Sequence, residues 1–304
     1  MSDIKTEDND DFIVSSSDLE KDEADIAFEA KEKKKKKSKI ISRIILVISA
    51  CVFIFAAYNL ISILLEYKKG NDIYDNIGDT VLDDTPVNIS IGDDEEITIP
   101  FKYDHQALLD INSDGLGFLY IPSLDVRLPI AQTTDNDFYL THTFDKTYNI
   151  NGCIFEDYRI TDKLNANHII LYGHSMNSGA MFGTLSKYKS SYFYNYEGND
   201  VFYIYTEDII KEYKIFTAYV SEPISDTYTF NFISLDGLRS YANRMKALSL
   251  YDTGVNVDKA TQVVTLSTCT NNGKQRFVIS GMYVGETTIE DFENSSEGTT
   301  SANN

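Results

Sequence analysis

Three side chains with complementary chemistry stand at the ends of apolar runs in this sequence. Cys269 closes Thr265-Leu266-Ser267-Thr268-Cys269, and the preceding Gln262-Val263-Val264-Thr265-Leu266 reads as a buried strand. Arg276 follows seven residues later, and His174 ends the run His168-Ile169-Ile170-Leu171-Tyr172-Gly173-His174. Only the thiolate of a cysteine is a good nucleophile, and neighbouring positive charge populates it. A thiol, an imidazole and a guanidinium so placed predict a nucleophile, an acid/base and an oxyanion stabiliser. Arginine suits the last role because its planar fork bonds an oxyanion at two points, which lysine cannot. The loop from Thr270 to Gln275 is short enough to return Arg276 to Cys269 if the two strands are antiparallel neighbours.

Competing chemistry is poorly supported. His105 falls in an amphipathic helix, and His142 in the polar Thr141-His142-Thr143, neither with a partner in view. His168 and His174 share a strand face but sit about 20 Å apart at 3.3 Å per residue, too far for one metal ion. His168 reads as a strand-entry residue. There is no Cys-x-x-Cys, so no metal site and no cofactor are expected. Of the three cysteines, Cys51 lies in an apolar segment, and Cys153, in Gly152-Cys153-Ile154-Phe155, reads as a small core residue. A Cys153–Cys269 disulfide is the plain alternative in an oxidising setting, although a single bridge is not a scaffold. No pair of carboxylates has a distinctive spacing that would select glycosidase chemistry.

The elements that must carry these residues are mostly strands. Period-two and continuous apolar runs predict strands over 117–121, 126–131, 152–156, 168–172, 201–206, 209–220, 262–268 and 276–284. Helices are predicted over 105–111, 179–188 and 234–248, the last with Ser234 as N-cap and Leu235, Leu238, Tyr241, Met245 and Leu248 on one face. Eight short strands with few helices predict a mainly β fold, a closed or nearly closed barrel with peripheral helices.

Ahead of it, Ile44 to Leu65 is a run of 22 residues without a charge. As a helix it is about 33 Å long, enough to cross a hydrocarbon core of about 30 Å. Lys31, Lys33 to Lys37, Lys39 and Arg43 precede it, and only Lys68 and Lys69 follow closely. The positive-inside bias predicts a single-pass anchor with the N-terminus cytoplasmic and the rest of the chain outside. A cleaved signal peptide is the alternative, but the run is longer than a signal peptide's apolar core and begins some forty residues in. The expected organisation is a disordered segment over 1–43, a transmembrane helix over 44–65, an acidic stem over 66–100, a folded domain over 101–290 and a polar tail over 291–304. The basic block also suits anionic inner-leaflet lipid. From residue 70 onward, 15 basic residues face 34 acidic ones, a net charge of −19. Such a surface argues against a nucleic-acid partner, whose phosphates demand a basic face.

Thr-Leu-Ser-Thr-Cys with an arginine shortly downstream, and Tyr-Gly-His upstream, resemble the sortases, membrane-anchored cysteine transpeptidases of Gram-positive bacteria. Further stretches resemble class B members: Asn112-Ser113-Asp114 with Gly117-Phe118-Leu119-Tyr120-Ile121-Pro122, Pro129-Ile130-Ala131-Gln132 with Asp135-Asn136-Asp137-Phe138-Tyr139-Leu140, and Gly152-Cys153-Ile154-Phe155-Glu156-Asp157-Tyr158-Arg159. The resemblance covers about 111–284, and the helix over 234–248 fits it. Phe118 stands where the family usually has Trp, and Cys153 where it has Ser or Thr. The loop from Cys269 to Arg276 is shorter than in some class B members, which bears on the pocket floor and on the motif accepted.

This resemblance implies a sortase-type barrel of seven or eight strands. It implies that Cys269 attacks a peptide bond in the C-terminal sorting signal of a surface protein, and that a peptidoglycan-precursor amine resolves the acyl-enzyme. His174 would protonate the leaving amine and Arg276 would steady the oxyanion, with Asn136, Leu140 and Ser267 lining the substrate groove. Two other readings stay open: a cysteine peptidase whose acyl-enzyme is resolved by water, and an anchored, non-catalytic binding module with an inert Cys269.

Overall fold

A computed structural model describes residues 16–91, 95–270 and 273–288. It divides into two compact units, Met1–Ile63 and Leu64–Asn304. The first unit carries most of helix α1 (Ser16–Val81). The segment 1–43, read above as disordered, is therefore helical from Ser16 onward. Helix-forming Ala, Glu and Lys dominate it, and ion pairs one turn apart, Glu29–Lys33 at 3.1 Å and Glu32–Lys36 at 3.7 Å, link its exposed surface. The apolar run inside α1 is long enough to cross a membrane, and its side chains are exposed. These features are consistent with a membrane anchor or a signal sequence.

In the second unit, the last turns of α1 lie on the folded domain. Gly70, Tyr74, Ile77 and Val81 are buried, a spacing of four, three and four that marks one helical face. Part of the stretch 66–100, read above as an acidic stem, packs through this apolar stripe, and Ile99 joins the same core. Short strands β1 (Leu82–Asp83) and β4 (Lys102–Tyr103) pair with each other, as do β2 (Val87–Ile91) and β3 (Glu95–Ile99).

Helix α2 (His105–Ile111) is capped by Asp104, whose carboxylate accepts from the Ala107 N–H at 2.9 Å. Eight strands then close a barrel: β5 (Gly115–Ile121), β6 (Val126–Ala131), β7 (Ile154–Glu156), β8 (His168–Tyr172), β9 (Val201–Tyr205), β10 (Ile209–Ser221), β11 (Val263–Thr270) and β12 (Gln275–Thr288). Around the barrel the order is β10-β12-β11-β8-β7-β6-β5-β9. The pairs β6/β7 and β8/β11 are parallel and the others antiparallel. All eight predicted strands are present, with ends moved by a few residues.

The predicted helix over 179–188 does not form. Gly179 (φ 88°) and Met181 (φ 53°) adopt left-handed backbone, which breaks a right-handed helix, and only a 3₁₀ turn at Leu185–Lys189 remains. A short helix, α3 (Ser191–Tyr194), follows it. Helix α4 (Leu235–Ala247) is capped by Ser234, as predicted, and buries Leu238, Tyr241, Ala242 and Met245 against Tyr219, Val263 and Val278 of the barrel. Strand alternation sorts β11 into two faces. Val263 lies beneath α4, whereas Val264 and Leu266 enter the barrel core.

Glu156 is fully buried, and neither carboxylate oxygen has a hydrogen-bond partner among the described residues. Burial pushes this carboxyl from 4.5 up to about 8; Lys163 opposes the shift and Asp157 adds to it. The folded protein thus keeps the proton where the unfolded chain has released it. The stability this provides is full below pH about 4.5 and is lost as pH rises to about 8. Glu156→Gln is expected to raise the melting temperature at pH 8 by several degrees while leaving it nearly unchanged at pH 4.5. Thermal unfolding at both pH values checks this, and an equal shift at both would contradict it.

Candidate active site

Register brings the three reactive side chains together. Cys269 on β11 is the cross-strand partner of Arg276 on β12, so both project from the same face. On the other side, β8 runs parallel to β11 with Tyr172 opposite Ser267, and the Gly173 N–H donates to the Ser267 carbonyl at 3.2 Å. His174 follows two residues past the end of β8 and lines the same cleft as Cys269 and Arg276. Imidazole, thiol and guanidinium therefore sit side by side at the ends of three adjacent strands, which are spaced about 4.8 Å apart.

A cleft of about 260 Å³ opens over them, lined by Cys269, His174, Arg276, Asn136, Leu140 and Ser267, all six of the residues singled out from the sequence. Phe155, Tyr172, Gly173, Pro223, Tyr228 and Thr268 complete its walls. A larger hollow of about 390 Å³ lies at the far end of β10 and β12. Its lining holds no thiol, imidazole or guanidinium, so the reactive chemistry belongs to the smaller cleft.

His174 Nε2 lies 2.7 Å from the Leu140 carbonyl. A carbonyl only accepts, so Nε2 carries the hydrogen and Nδ1 is left to exchange a proton. Gly152 packs against the imidazole: a β-carbon there would stand 3.0 Å from His174 Cδ2, and its φ of 62° also favours glycine. Arg276 Nη1 donates to the carbonyls of Gly273 at 2.9 Å and Gln275 at 3.1 Å. These bonds fix the guanidinium through one nitrogen and, among the described residues, leave Nε and Nη2 for another acceptor. Residues 271 and 272 of the connecting turn lie outside the described residues, and with them the predicted effect of its length.

Cys269 is a free, partly exposed thiol, and Cys153 is free and buried, with burial pushing its thiol up to about 12. His168 is also buried. It donates from Nδ1 to the Thr229 carbonyl at 2.6 Å and contacts Thr265 Oγ1 at 2.8 Å, and burial lowers its pKa to about 4. It is thus a neutral strut that fixes the segment carrying Tyr228. The Tyr228 hydroxyl meets Ser267 Oγ at 3.0 Å, and burial holds this phenol above its ordinary pKa.

Known proteins resemble this chain in sequence and fold. A model of the sortase domain matches residues 119–284. Sortase B of Listeria monocytogenes is 31% identical over 231 residues, covering 72% of this chain and 90% of its own length. The chain belongs to the sortase family. Sortase B of Staphylococcus aureus is 27% identical over 165 residues, 54% of this chain and 66% of that protein. The crystal structure of Bacillus anthracis sortase B in complex with AAEK1 superposes with a TM-score of 0.60 at 25% identity, covering 73% of this chain and 99% of that one. The protein is a cysteine transpeptidase of the sortase B type.

One wall of this sortase's cleft was not foreseen. Tyr172 packs between Phe155, tilted against it at a centroid distance of 5.4 Å, and Tyr228, stacked at 6.1 Å. Its hydroxyl donates to Asp157 Oδ2 at 2.9 Å, and Arg159 clamps the same carboxylate through Nε at 2.8 Å and Nη2 at 2.7 Å. Burial pushes the Asp157 carboxyl up, but the Arg159 and Tyr172 bonds outweigh it and the net shift is downward. Asn136 is held nearby, accepting from the Tyr158 N–H at 3.0 Å. Asp157→Asn is expected to cost about 2 kcal/mol, because it leaves the buried side of a charged pair mismatched. Denaturant titration checks this, and an unchanged midpoint would contradict it.

Proposed function

We propose that this sortase cleaves the C-terminal sorting signal of a surface protein and transfers that protein to an amine of peptidoglycan. The observation carrying this reading is the side-by-side register of His174, Cys269 and Arg276. Cys269 Sγ attacks the scissile carbonyl, and Arg276 stabilises the oxyanion that forms. The thiol proton passes to His174 Nδ1 on attack; as the tetrahedral intermediate collapses, the C–N bond breaks and His174 gives that proton to the departing amine. A thioester remains on Cys269. The acceptor amine then attacks it, giving up a proton as the new amide forms, and the thiol is released. Asn136, Leu140 and Ser267 line the groove that takes the peptide. Similarity to sortase B proteins supports the assignment.

In this reading the apolar run at 44–65 is an uncleaved single-pass anchor. The lysine-rich stretch before it stays in the cytoplasm beside anionic lipid, and the catalytic domain faces outward. Enzyme and membrane-borne substrates then share one surface. The test is a library of sorting-signal peptides incubated with the protein, with and without an oligoglycine amine. Added amine is expected to divert product from the hydrolysed to the ligated form in proportion to its concentration. Cleavage that proceeds with no ligated product at any amine concentration would instead mark a peptidase.

A further inference from the structure

Helix α1 contacts the turn beneath His174, away from the reacting atoms. Tyr74 on α1 donates its hydroxyl to the Gly152 carbonyl at 2.5 Å, across 78 residues of sequence. Asn149 and Asn151 reach the opposite way: Asn149 Nδ2 donates to the Glu66 carbonyl and Asn151 Nδ2 to Asn71 Oδ1, both at 3.1 Å. Gly70 lets the helix approach this closely, since a β-carbon there would overlap the side chains of Asn149 and Asn151. Tyr74, Asn149, Asn151 and Gly152 are all buried.

The turn they hold is itself tied to the imidazole. Gly152 lies against the His174 ring and the Leu140 carbonyl, and the Cys153 N–H donates to the Tyr139 carbonyl at 2.9 Å. Leu140, one residue on, supplies the acceptor for His174 Nε2. A continuous set of contacts thus runs from Tyr74 through Gly152 to both the ring of His174 and the carbonyl that orients it. The Asn149 N–H, bonded to the Thr141 carbonyl at 2.9 Å, closes the loop on itself, so a shift of the turn moves the Leu140 carbonyl as well.

We infer that the end of α1 is a positioning element of the active site, with Tyr74 as the positioning residue that sets the orientation of His174 through Gly152. A displaced acid raises the barrier to leaving-group departure while leaving peptide binding largely in place, because the cleft walls Tyr172, Tyr228 and Ser267 lie on other elements. Tyr74 never touches substrate. The inference rests on the role given to His174 under the proposed function.

The test compares Tyr74→Phe, Ile77→Ala and His174→Gln in the full chain in detergent micelles, with a sorting peptide and an oligoglycine amine. Tyr74→Phe keeps the ring and removes one hydrogen bond. It is expected to lower kcat roughly tenfold, leave KM within about twofold, and shift the pH limb of kcat that reports the imidazole. Ile77→Ala trims the same helical face without touching the turn. It is expected to lower the melting temperature more than Tyr74→Phe while holding kcat within about twofold. A Tyr74→Phe enzyme with wild-type kcat and pH profile, beside an inactive His174→Gln, would overturn the positioning role alone. So would a kcat that follows melting temperature across the two helix variants. An active His174→Gln would overturn the assignment of His174, and the inference with it.

Discussion

Cys269→Ala is expected to reduce both cleavage and ligation of a sorting peptide by roughly 10⁴-fold or more, to the level of the buffer reaction. The size of the effect follows from the covalent step. Without a thiol there is no thioester, and neither His174 nor Arg276 supplies a nucleophile in its place. Binding should survive, because the cleft walls of Phe155, Tyr172 and Tyr228 remain. A fluorescent sorting peptide should therefore bind the variant with nearly wild-type affinity while remaining uncut. Residual turnover above about one per cent would remove Cys269 from the chemistry.

Arg276→Lys is expected to lower kcat by about 10²- to 10³-fold with little change in KM. Charge is kept, so the loss isolates geometry. The guanidinium is tethered through Nη1 to two carbonyls of its own turn and still presents further N–H groups. An ammonium that satisfies those same carbonyls has one compact head and cannot offer the planar fork as well. Its cross-strand position opposite Cys269 gives it the right reach only while the hairpin register holds. Steady-state kinetics on the variant, with circular dichroism to verify the fold, decides the point. A kcat within threefold of wild type would mean that charge alone suffices.

Much of this site was readable in the sequence because strand physics is short-range. Cys269 and His174 close apolar runs and Arg276 opens one, and alternation puts Cys269 on the face of Ser267 and His174 on that of Tyr172. The short loop was enough to expect Arg276 near Cys269 on condition of an antiparallel return, and the pairing of β11 with β12 meets that condition. What could not be read was long-range. The parallel alignment of β8 with β11 joins segments nearly a hundred residues apart, and no local pattern specifies it. Tyr228 and Pro223 come from an irregular connection without periodicity, so nothing marked them as cleft residues. The Arg159–Asp157–Tyr172 clamp lay within quoted motifs, yet only folding brings the hydroxyl of β8 to the end of β7.

The errors have equally local causes. Apolar spacing over 179–188 imitates a helix, but two left-handed residues interrupt it. The acidic stretch 66–100 also carries a stripe of Gly70, Tyr74, Ile77 and Val81 that the sequence reading did not single out, and it packs because a helix needs only one apolar face to dock. Among the residues before 44, composition pointed to disorder where alternating Glu and Lys one turn apart support helix.

The most direct test of the whole mechanism is to trap the acyl-enzyme. The protein is mixed with a sorting peptide in the absence of amine, quenched in acid within seconds, and examined by intact mass and by peptide mapping. The predicted result is a mass increase equal to the N-terminal portion of the peptide, located on the fragment containing Cys269 and discharged when hydroxylamine or oligoglycine is added. An adduct on any other residue, or cleavage with no adduct under conditions of rapid turnover, would contradict it.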